Sequence, residues 1–243
     1  MPPQPAEIAD IADELRIRLS DTQCSLLAQY SRLLIDWNNR FNLTGIKDDA
    51  GILIRHLADS LTVVPFLDRC LGENPALNLI DIGSGAGLPG IPIKIARPHI
   101  DITLVDSTGK KVMFCQIVIK ELGLTQARAV HGRAEEMGRQ SEYRERYDVV
   151  IARAVAPLPT LVEYLLPFVQ VNGWCIAMKG SEAQTEAERA RHAIETLGGA
   201  APIIEPVTLP RTTDRRALVI IHKIRRTPAR FPRQAGAPRT APL

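Results

Sequence analysis

One segment constrains the fold of this chain more than any other: a short apolar run that breaks into a glycine-rich turn. The run covers residues 78–82 and contains one carboxylate, Asp81, and the turn has glycine at positions 83, 85, 87 and 90. Residues 91–96 then show a helix-like pattern. Strand, glycine turn and helix in this order are typical of nucleotide-cofactor sites, because glycines let the backbone approach a ligand and a helix N-terminus presents N–H groups.

A second apolar run supports this interpretation. It covers residues 102–105 and is followed by Asp106 and Ser107, about two dozen residues beyond Asp81. An acidic side chain at this position can accept hydrogen bonds from a ribose bound at the glycine turn. We therefore predict that Asp106 and Ser107 contact a ribose.

The turn is compatible with two kinds of cofactor. Its last three glycines match the dinucleotide fingerprint G-x-G-x-x-G. The rival is S-adenosylmethionine, which binds at the same topological position and has no phosphate. Asp81 favours the rival, because a carboxylate ahead of the turn repels a pyrophosphate but attracts the amino and sulfonium groups of S-adenosylmethionine. We predict S-adenosylmethionine, with its methionine part at residues 83–90; a turn that binds nothing would leave Asp106 without a role.

Two further strand ends add candidate residues. Ala134 and Glu135 follow the third apolar run, where a backbone N–H and a carboxylate could recognise the adenine edge. Arg153 follows the fourth run, at the mouth of the expected site, and is the candidate positioning residue. The alternative for Arg153 is a salt bridge to Asp106 or Glu135.

Other chemistries find little support in the sequence. It contains no G-x-S-x-G or H-E-x-x-H motif, and its five histidines are scattered. We predict no metal and no certain catalytic acid or base. Arg55 and His56 are candidates for substrate contact because Asp59 and Ser60 lie on the same helical turn. The alternative is a histidine satisfied within the protein.

Short apolar runs alternate with helical segments from residue 77 onward. Strands are predicted at 78–82, 102–105, 127–131, 148–152 and 174–178, and helices at 110–122, 158–168 and 182–197. This alternation indicates a mainly parallel sheet with helices on both faces. Residues 202–209 and 217–223 predict a closing hairpin, which class I S-adenosylmethionine-dependent methyltransferases have and dinucleotide folds generally lack. We therefore predict the α/β fold of these methyltransferases, which is a doubly wound, mainly parallel sheet of seven strands.

The N-terminal part has helical patterns only. Apolar positions recur every three to four residues over 6–19 and from Leu26 to Trp37, Ser20 and Asp21 are candidate N-caps, and 48–71 predict one or two more helices. We predict a helical cap over 1–72, an S-adenosylmethionine-binding domain over 73–224 and a basic, proline-rich tail over 225–243.

Composition and charge limit the compartment and partners. The four cysteines form no C-x-x-C pair, the N-terminus lacks a signal-peptide pattern, and no apolar run approaches the length of a membrane span, so we predict a cytoplasmic protein.

Residues 211–243 carry nine Lys or Arg and one acid, Asp214, a net charge of +8, whereas the whole chain carries +3. A basic end on an acidic body indicates a polyanionic partner, and the alternative is a solvated tail that aids solubility.

Together these residues resemble one family, the bacterial 16S ribosomal RNA methyltransferase G, once called glucose-inhibited division protein B. The likeness spans nearly the whole chain. Two of the matching elements are specific, the Leu88-Pro89-Gly90 extension and the Asn42-Leu43-Thr44 block, whereas the glycine turn alone is not. The matching residues are Trp37-Asn38, residues 41–44, His56-Leu57, Asp59-Ser60, residues 81–90, Leu104 to Ser107, Arg153-Ala154, Phe231 to Arg233 and the Pro-Leu end.

The resemblance implies methylation of N7 of guanine 527 in 16S rRNA, with S-adenosylmethionine as donor. It implies cofactor contacts at Gly83, Leu88, Ala134, Glu135 and Arg153, with Asp106 and Ser107 at the ribose. Asp81 and Gly85 complete the predicted cofactor set. The predicted RNA contacts are Arg55, His56, Arg226, Arg230 and Arg233. We expect a monomer that acts on rRNA or the small ribosomal subunit without a membrane; a non-catalytic RNA-binding protein and a small-molecule methyltransferase are the alternatives.

Overall fold

The structure is a computed structural model that describes residues 2–71 and 77–243. Its strands are β1 (Asn78–Ile82), β2 (Asp101–Asp106), β3 (Ala127–His131), β4 (Tyr147–Arg153), β5 (Val169–Lys179), β6 (Ile203–Thr208) and β7 (Arg215–His222). Across the described residues these seven strands form one sheet in the order β3-β2-β1-β4-β5-β7-β6. The pairs β1–β4, β2–β3 and β4–β5 are parallel, and β5–β7 is antiparallel. The predicted fold class is confirmed.

Helices precede and separate the strands. They are α1 (Pro5–Glu14), α2 (Asp21–Phe41), α3 (Asp49–Gly51), a π-helix (Ile52–Ala58), α4 (Asp59–Leu61), α5 (Val64–Leu71), α6 (Gly90–Ala96), α7 (Gly109–Glu121), α8 (Ala134–Met137), α9 (Leu158–Leu165), α10 (Ala183–Thr196) and α11 (Ala237–Thr240).

The chain divides into two compact units. The first comprises the described residues up to Leu77 together with Ser84–His131 and Thr208–Thr213, and the second comprises Asn78–Gly83, Gly132–Val207 and Asp214–Leu243. The first unit thus contains the N-terminal helices, α6, α7, β2 and β3. The boundaries predicted at 72/73 and 224/225 stay predictions.

In the first unit, local signals set the ends of the N-terminal helices. Ser20 caps α2 by accepting from the Gln23 amide, while the Gln23 side chain accepts from the Ser20 amide. Helix α1 stops earlier than predicted, because Arg16 takes a left-handed backbone conformation and the Ile17 amide bonds back to Ala12 O.

Among the described residues, the helical run Asp49–Cys70 is long and apolar enough to cross a membrane by length and composition. It has 22 residues, and an 18-residue stretch of it has a mean hydropathy of 1.4 although charged residues interrupt its apolar positions. That stretch is 83% buried inside the protein. Core helices of globular proteins pass the same test, so the run is weak evidence of a span. The first half of the run contains the π-helix, a form that sequence periodicity does not reveal.

In the second unit, β4 shows why apolar runs predict strands well here. Its residues 149–152 are fully buried, as expected of a central strand that is covered on both faces and paired on both edges. The antiparallel β7 then pairs with β5 from Trp174↔His222 to Lys179↔Ala217, which agrees with the predicted closing hairpin strand.

The C-terminal tail is not the solvated segment that the sequence left open as an alternative. It has buried side chains of its own: Phe231 is 3% exposed and Thr227 is 4% exposed. The Arg144 guanidinium donates to Phe231 O at 2.7 Å and to Thr227 O at 2.8 Å. The tail is therefore packed within the second unit.

Candidate functional site

The glycine turn of the first unit holds its shape with its own amide groups. Ser84 N donates to Val105 O at 2.9 Å, and the amides of Gly87 and Leu88 both donate to Ser84 O at 2.8 Å. Ile91 N, at the start of α6, donates to Gly87 O at 2.7 Å. These four N–H groups thus donate to backbone oxygens of the turn and of β2.

Asp106 lies at the end of β2 and is tied to the same turn. Its Oδ2 accepts from Gly85 N at 2.9 Å, and its Oδ1 accepts from Thr108 N at 2.8 Å. The side chain is almost buried, at 7% exposure. Ser107 is exposed, and its carbonyl oxygen lies 3.0 Å from His131 Nε2. The structure therefore brings Asp106 to the glycine turn, as predicted, and gives it a structural role there.

Two side chains that sequence reasoning missed contact carbonyl oxygens of the turn. The buried Tyr30 of α2 donates its hydroxyl to Ala86 O at 2.8 Å. The Cys115 thiol of α7 lies 3.6 Å from Gly85 O. Tyr30 lies among the apolar positions between Leu26 and Trp37, and the only signal of a further role is its hydroxyl, which a buried tyrosine must satisfy with a hydrogen bond.

In the second unit, β1 runs into the start of the turn. Asp81 is fully buried. Gly83 has φ +73°, and a Cβ built on it would lie 2.5 Å from Val155 Cγ2. Only glycine suits this position, because both the left-handed backbone and the close valine exclude a side chain.

The other predicted cofactor contacts of the second unit lie at strand ends. Ala134 and Glu135 begin α8 after β3, and Arg153 is the half-buried last residue of β4. Glu135 is 8% exposed, and its Oε1 accepts from Gly236 N at 3.1 Å. The tail therefore fixes the orientation of this carboxylate. No local sequence pattern predicts this contact.

The substrate candidates of the first unit lie on the π-helix. Arg55 is exposed, whereas His56 is 6% exposed, with Nε2 at 2.8 Å from Thr44 Oγ1 and Nδ1 at 3.1 Å from Arg55 O. A carbonyl oxygen only accepts, so the Nδ1 contact requires a proton on Nδ1. His56 is thus satisfied within the protein, and Arg55 is the side chain presented outward.

The three C-terminal arginines differ in their surroundings. Arg226 is 86% exposed, with Nε 3.8 Å from Glu145 Oε2. The exposed Arg230 guanidinium lies 5.0 Å from the ring centroid of Phe231. Arg233 instead donates through Nε and Nη2 to the fully buried Glu163, at 3.0 and 2.6 Å. This geometry gives Arg233 a structural role first, while its RNA contact stays a prediction.

Among the residues that the structure describes, no group of three or more His, Cys, Asp or Glu side chains could hold a metal ion.

Known proteins place this arrangement in a family. The fold resembles the CurJ carbon methyltransferase, with a TM-score of 0.57 at 13% identity over 91% of this chain and 70% of that one. The chain is 45% identical to the ribosomal RNA small subunit methyltransferase G of Desulforamulus reducens over 96% of its length and 95% of the relative's. It is 47% identical to the protein of the same name from Roseiflexus sp. over 93% and 94% of the two lengths.

The family model described as rRNA small subunit methyltransferase G matches residues 23–212. This range includes the glycine turn, Asp106 and Arg153. The chain belongs to the rRNA small subunit methyltransferase G family.

Proposed function

We propose that this enzyme transfers a methyl group from S-adenosylmethionine to N7 of guanine 527 in 16S rRNA. Membership of an rRNA methyltransferase family supports the reaction class. One observation supports the cofactor: four amide groups of the glycine turn, and the Ile91 amide at the start of α6, already donate to protein acceptors in the first unit. A dinucleotide site needs such amides for its pyrophosphate, whereas S-adenosylmethionine has no phosphate to bind.

The first unit supplies residues that fit this cofactor. Each oxygen of Asp106 accepts one backbone N–H, which leaves lone pairs for ribose hydroxyl groups. Asp106 and Ser107 would hold the ribose, and Gly85 and Leu88 would hold the methionine part. When bound, the cofactor supplies an electrophilic methyl group on a sulfonium. The remaining predicted contacts are in the second unit: Asp81, Gly83, Ala134, Glu135 and Arg153.

Guanine N7 carries a lone pair and no proton, so its attack on the methyl group requires no general base. The protein then has to align the nucleophile and stabilise the positive charge that moves onto the purine. Arg153 is the candidate positioning residue, and the buried carboxylate of Asp81 would offset positive charge. The target guanine must also be unstacked, which costs little in a single-stranded loop.

The exposed cations would bind the RNA backbone. Arg226 and Arg230 have the most accessible guanidinium groups of the tail candidates, and Arg55 is exposed on the π-helix. The partner would be the small ribosomal subunit or its 16S rRNA. The protein would act on it in the cytoplasm, as a monomer and without a membrane.

Isothermal titration with S-adenosylhomocysteine and with NAD tests the cofactor. We expect S-adenosylhomocysteine to bind and NAD to leave no heat signal. Tight binding of NAD, with no response to S-adenosylhomocysteine, would overturn the cofactor assignment.

Transfer of labelled methyl groups to 16S rRNA and to intact small subunits tests the reaction. We expect incorporation that primer extension and mass mapping locate at N7 of guanine 527. No incorporation would identify a non-catalytic RNA-binding protein, whereas transfer to small molecules alone would identify a different methyltransferase.

Asp106→Ala tests the ribose contact. It removes the acceptor for two backbone amides and for the ribose, so we expect affinity for S-adenosylhomocysteine to fall by about 1–3 kcal/mol. The matched control is Asp101→Ala, which removes an exposed carboxylate from the opposite end of β2. If both variants bind S-adenosylhomocysteine like the wild type, Asp106 does not belong to the site.

A further inference from the structure

An aromatic ring with a cation above it is exposed in the first unit. Phe41 is the last residue of α2 and is 37% exposed, and Lys110 Nζ of α7 lies 5.7 Å from its ring centroid. Arg40 is exposed beside Phe41, and Met113, one turn after Lys110, is 42% exposed. We call Arg40, Phe41, Lys110 and Met113 the Phe41 platform.

Packed aromatic rings hold the platform in place. Phe41 lies 5.1 Å from Trp37, and Trp37 lies 5.7 Å from Phe114, measured between ring centroids. Phe114 is fully buried and lies 6.5 Å from Tyr30, whose hydroxyl donates to Ala86 O of the glycine turn. A continuous series of rings thus connects the exposed Phe41 to the turn that we assign to the cofactor.

The platform combines the two contacts that single-stranded RNA needs. An exposed ring offers a face on which a base can stack, and adjacent cations offer partners for the phosphates on either side. Lys111 adds a third positive charge next to Lys110, whereas the nearest acid in sequence on α2 is the exposed Asp36. An apolar protein partner would instead match a surface depleted of charge.

We propose that the Phe41 platform binds an unpaired nucleotide of the RNA substrate, with its base on the Phe41 ring and its phosphates at Lys110 and Arg40. This proposal rests on the RNA substrate of the proposed function. A second nucleotide held outside its stack would help to keep the target loop open while the guanine enters the site. The ring series gives this contact a rigid base on the two helices that also support the glycine turn.

Fluorescence anisotropy with a labelled single-stranded oligoribonucleotide of about 12 nucleotides tests the platform. Phe41→Leu keeps an apolar side chain but removes the flat face, so we expect the Kd to rise about tenfold. Phe41→Trp keeps the flat face, so its Kd should lie within about twofold of that of the wild type.

The salt dependence of binding tests the cation. Lys110→Ala removes one phosphate contact, so it should lower the magnitude of the slope of log K against log salt by about one. Ile203→Ala, which removes an exposed side chain of β6, is the control.

Three further measurements separate the possible failures. The affinity for S-adenosylhomocysteine should stay unchanged in Phe41→Leu, and the melting temperature should fall by no more than about 5 °C, because the variant loses the ring contact with Trp37 at a partly exposed helix end. Cross-linking of a 4-thiouridine oligonucleotide should map to the peptide that contains Phe41. Unchanged RNA affinity in Phe41→Leu, in a wild type that methylates rRNA, would overturn the platform alone. Absence of methylation by the wild type would overturn the proposed function, and the binding data would still decide on the platform.

Discussion

At Gly87 the backbone has φ +83°, and a Cβ built there would lie 2.3 Å from Ile91 Cδ1. The positive φ disfavours any L side chain at this position. The short distance to Ile91 would in addition force that side chain, at the start of α6, to move. Because Gly87 N and Gly87 O both bond within the turn, the strain would spread to the backbone around Asp106.

We therefore expect Gly87→Ala to weaken binding of S-adenosylhomocysteine at least about tenfold and to destabilise the protein by about 1–3 kcal/mol. The matched control is Gly109→Ala, because a Cβ at Gly109 meets no atom within 4 Å. Titration calorimetry and urea unfolding of both variants provide the measurements. Equal cofactor affinity in the two would show that the turn conformation is not required for binding.

At the scale of elements, the tail and α9 are joined by one ion pair. Arg233 donates to Glu163 through its amide at 2.7 Å and through two guanidinium nitrogens. The Glu163 side chain is fully buried, whereas that of Arg233 is 28% exposed. The hydrogen bonds to Glu163 raise the pKa of Arg233. Removal of the arginine would leave a buried carboxylate with one partner fewer.

Arg233→Met should lower the free energy of unfolding by about 2–4 kcal/mol. The control pair is Arg211 and Glu14, whose side chains are 47% and 41% exposed; Arg211→Met should change stability by less than about 1 kcal/mol. Urea unfolding gives both values. A loss no larger for Arg233→Met than for Arg211→Met would argue against the ion pair as the anchor of the tail.

The sequence predicted the elements whose signals are local. Buried parallel strands must be apolar along their whole length, so β1, β2 and β4 stood out, and glycine positions marked the turn after β1. Asp106 was placed correctly because a fixed strand-to-strand spacing brings it near that turn.

The sequence did not reveal contacts that depend on distant residues. Tyr30 reaches Ala86 across 56 residues, and Gly236 reaches Glu135 across 101. No periodicity encodes such contacts, and the one between Gly236 and Glu135 helps to hold the tail against the rest of the second unit. The π-helix around His56 was missed for another reason, since its composition is that of an ordinary helix.

At the scale of the whole molecule, the charge count overstates the positive field of the C-terminal region. Lys223 is fully buried, Arg233 is paired with Glu163, and Arg211 and Arg216 are paired with Glu14 and Asp214. Formal charge counted along a chain includes groups that fold into ion pairs and cannot attract a polyanion. We infer that a few exposed cations, rather than a uniformly basic tail, provide the RNA contacts.

Lys223 also links the stability of the protein to pH. Its Nζ donates to Leu166 O at 2.6 Å and to Thr227 Oγ1. Burial lowers the pKa of Lys223 to about 8, although Glu145 and Cys175 act in the opposite direction. An exposed lysine in the unfolded chain has a pKa of about 10.4. Between these two values the unfolded state binds more protons than the folded state, so stability contributed by this group rises with pH.

We expect the free energy of unfolding of the wild type to increase relative to Lys223→Met by about 2–3 kcal/mol between pH 8 and pH 10, from about 1.4 kcal/mol per pH unit of linkage. Below about pH 8 the lysine is protonated in both states, so the difference between the two proteins should be constant there. Burial also raises the pKa of Cys175 to about 12, which opposes the trend above pH 9. That contribution is common to both proteins and largely cancels in their difference. Urea unfolding at half-unit pH intervals measures the two curves, and parallel curves from pH 7 to pH 10 would show that Lys223 is solvated rather than buried.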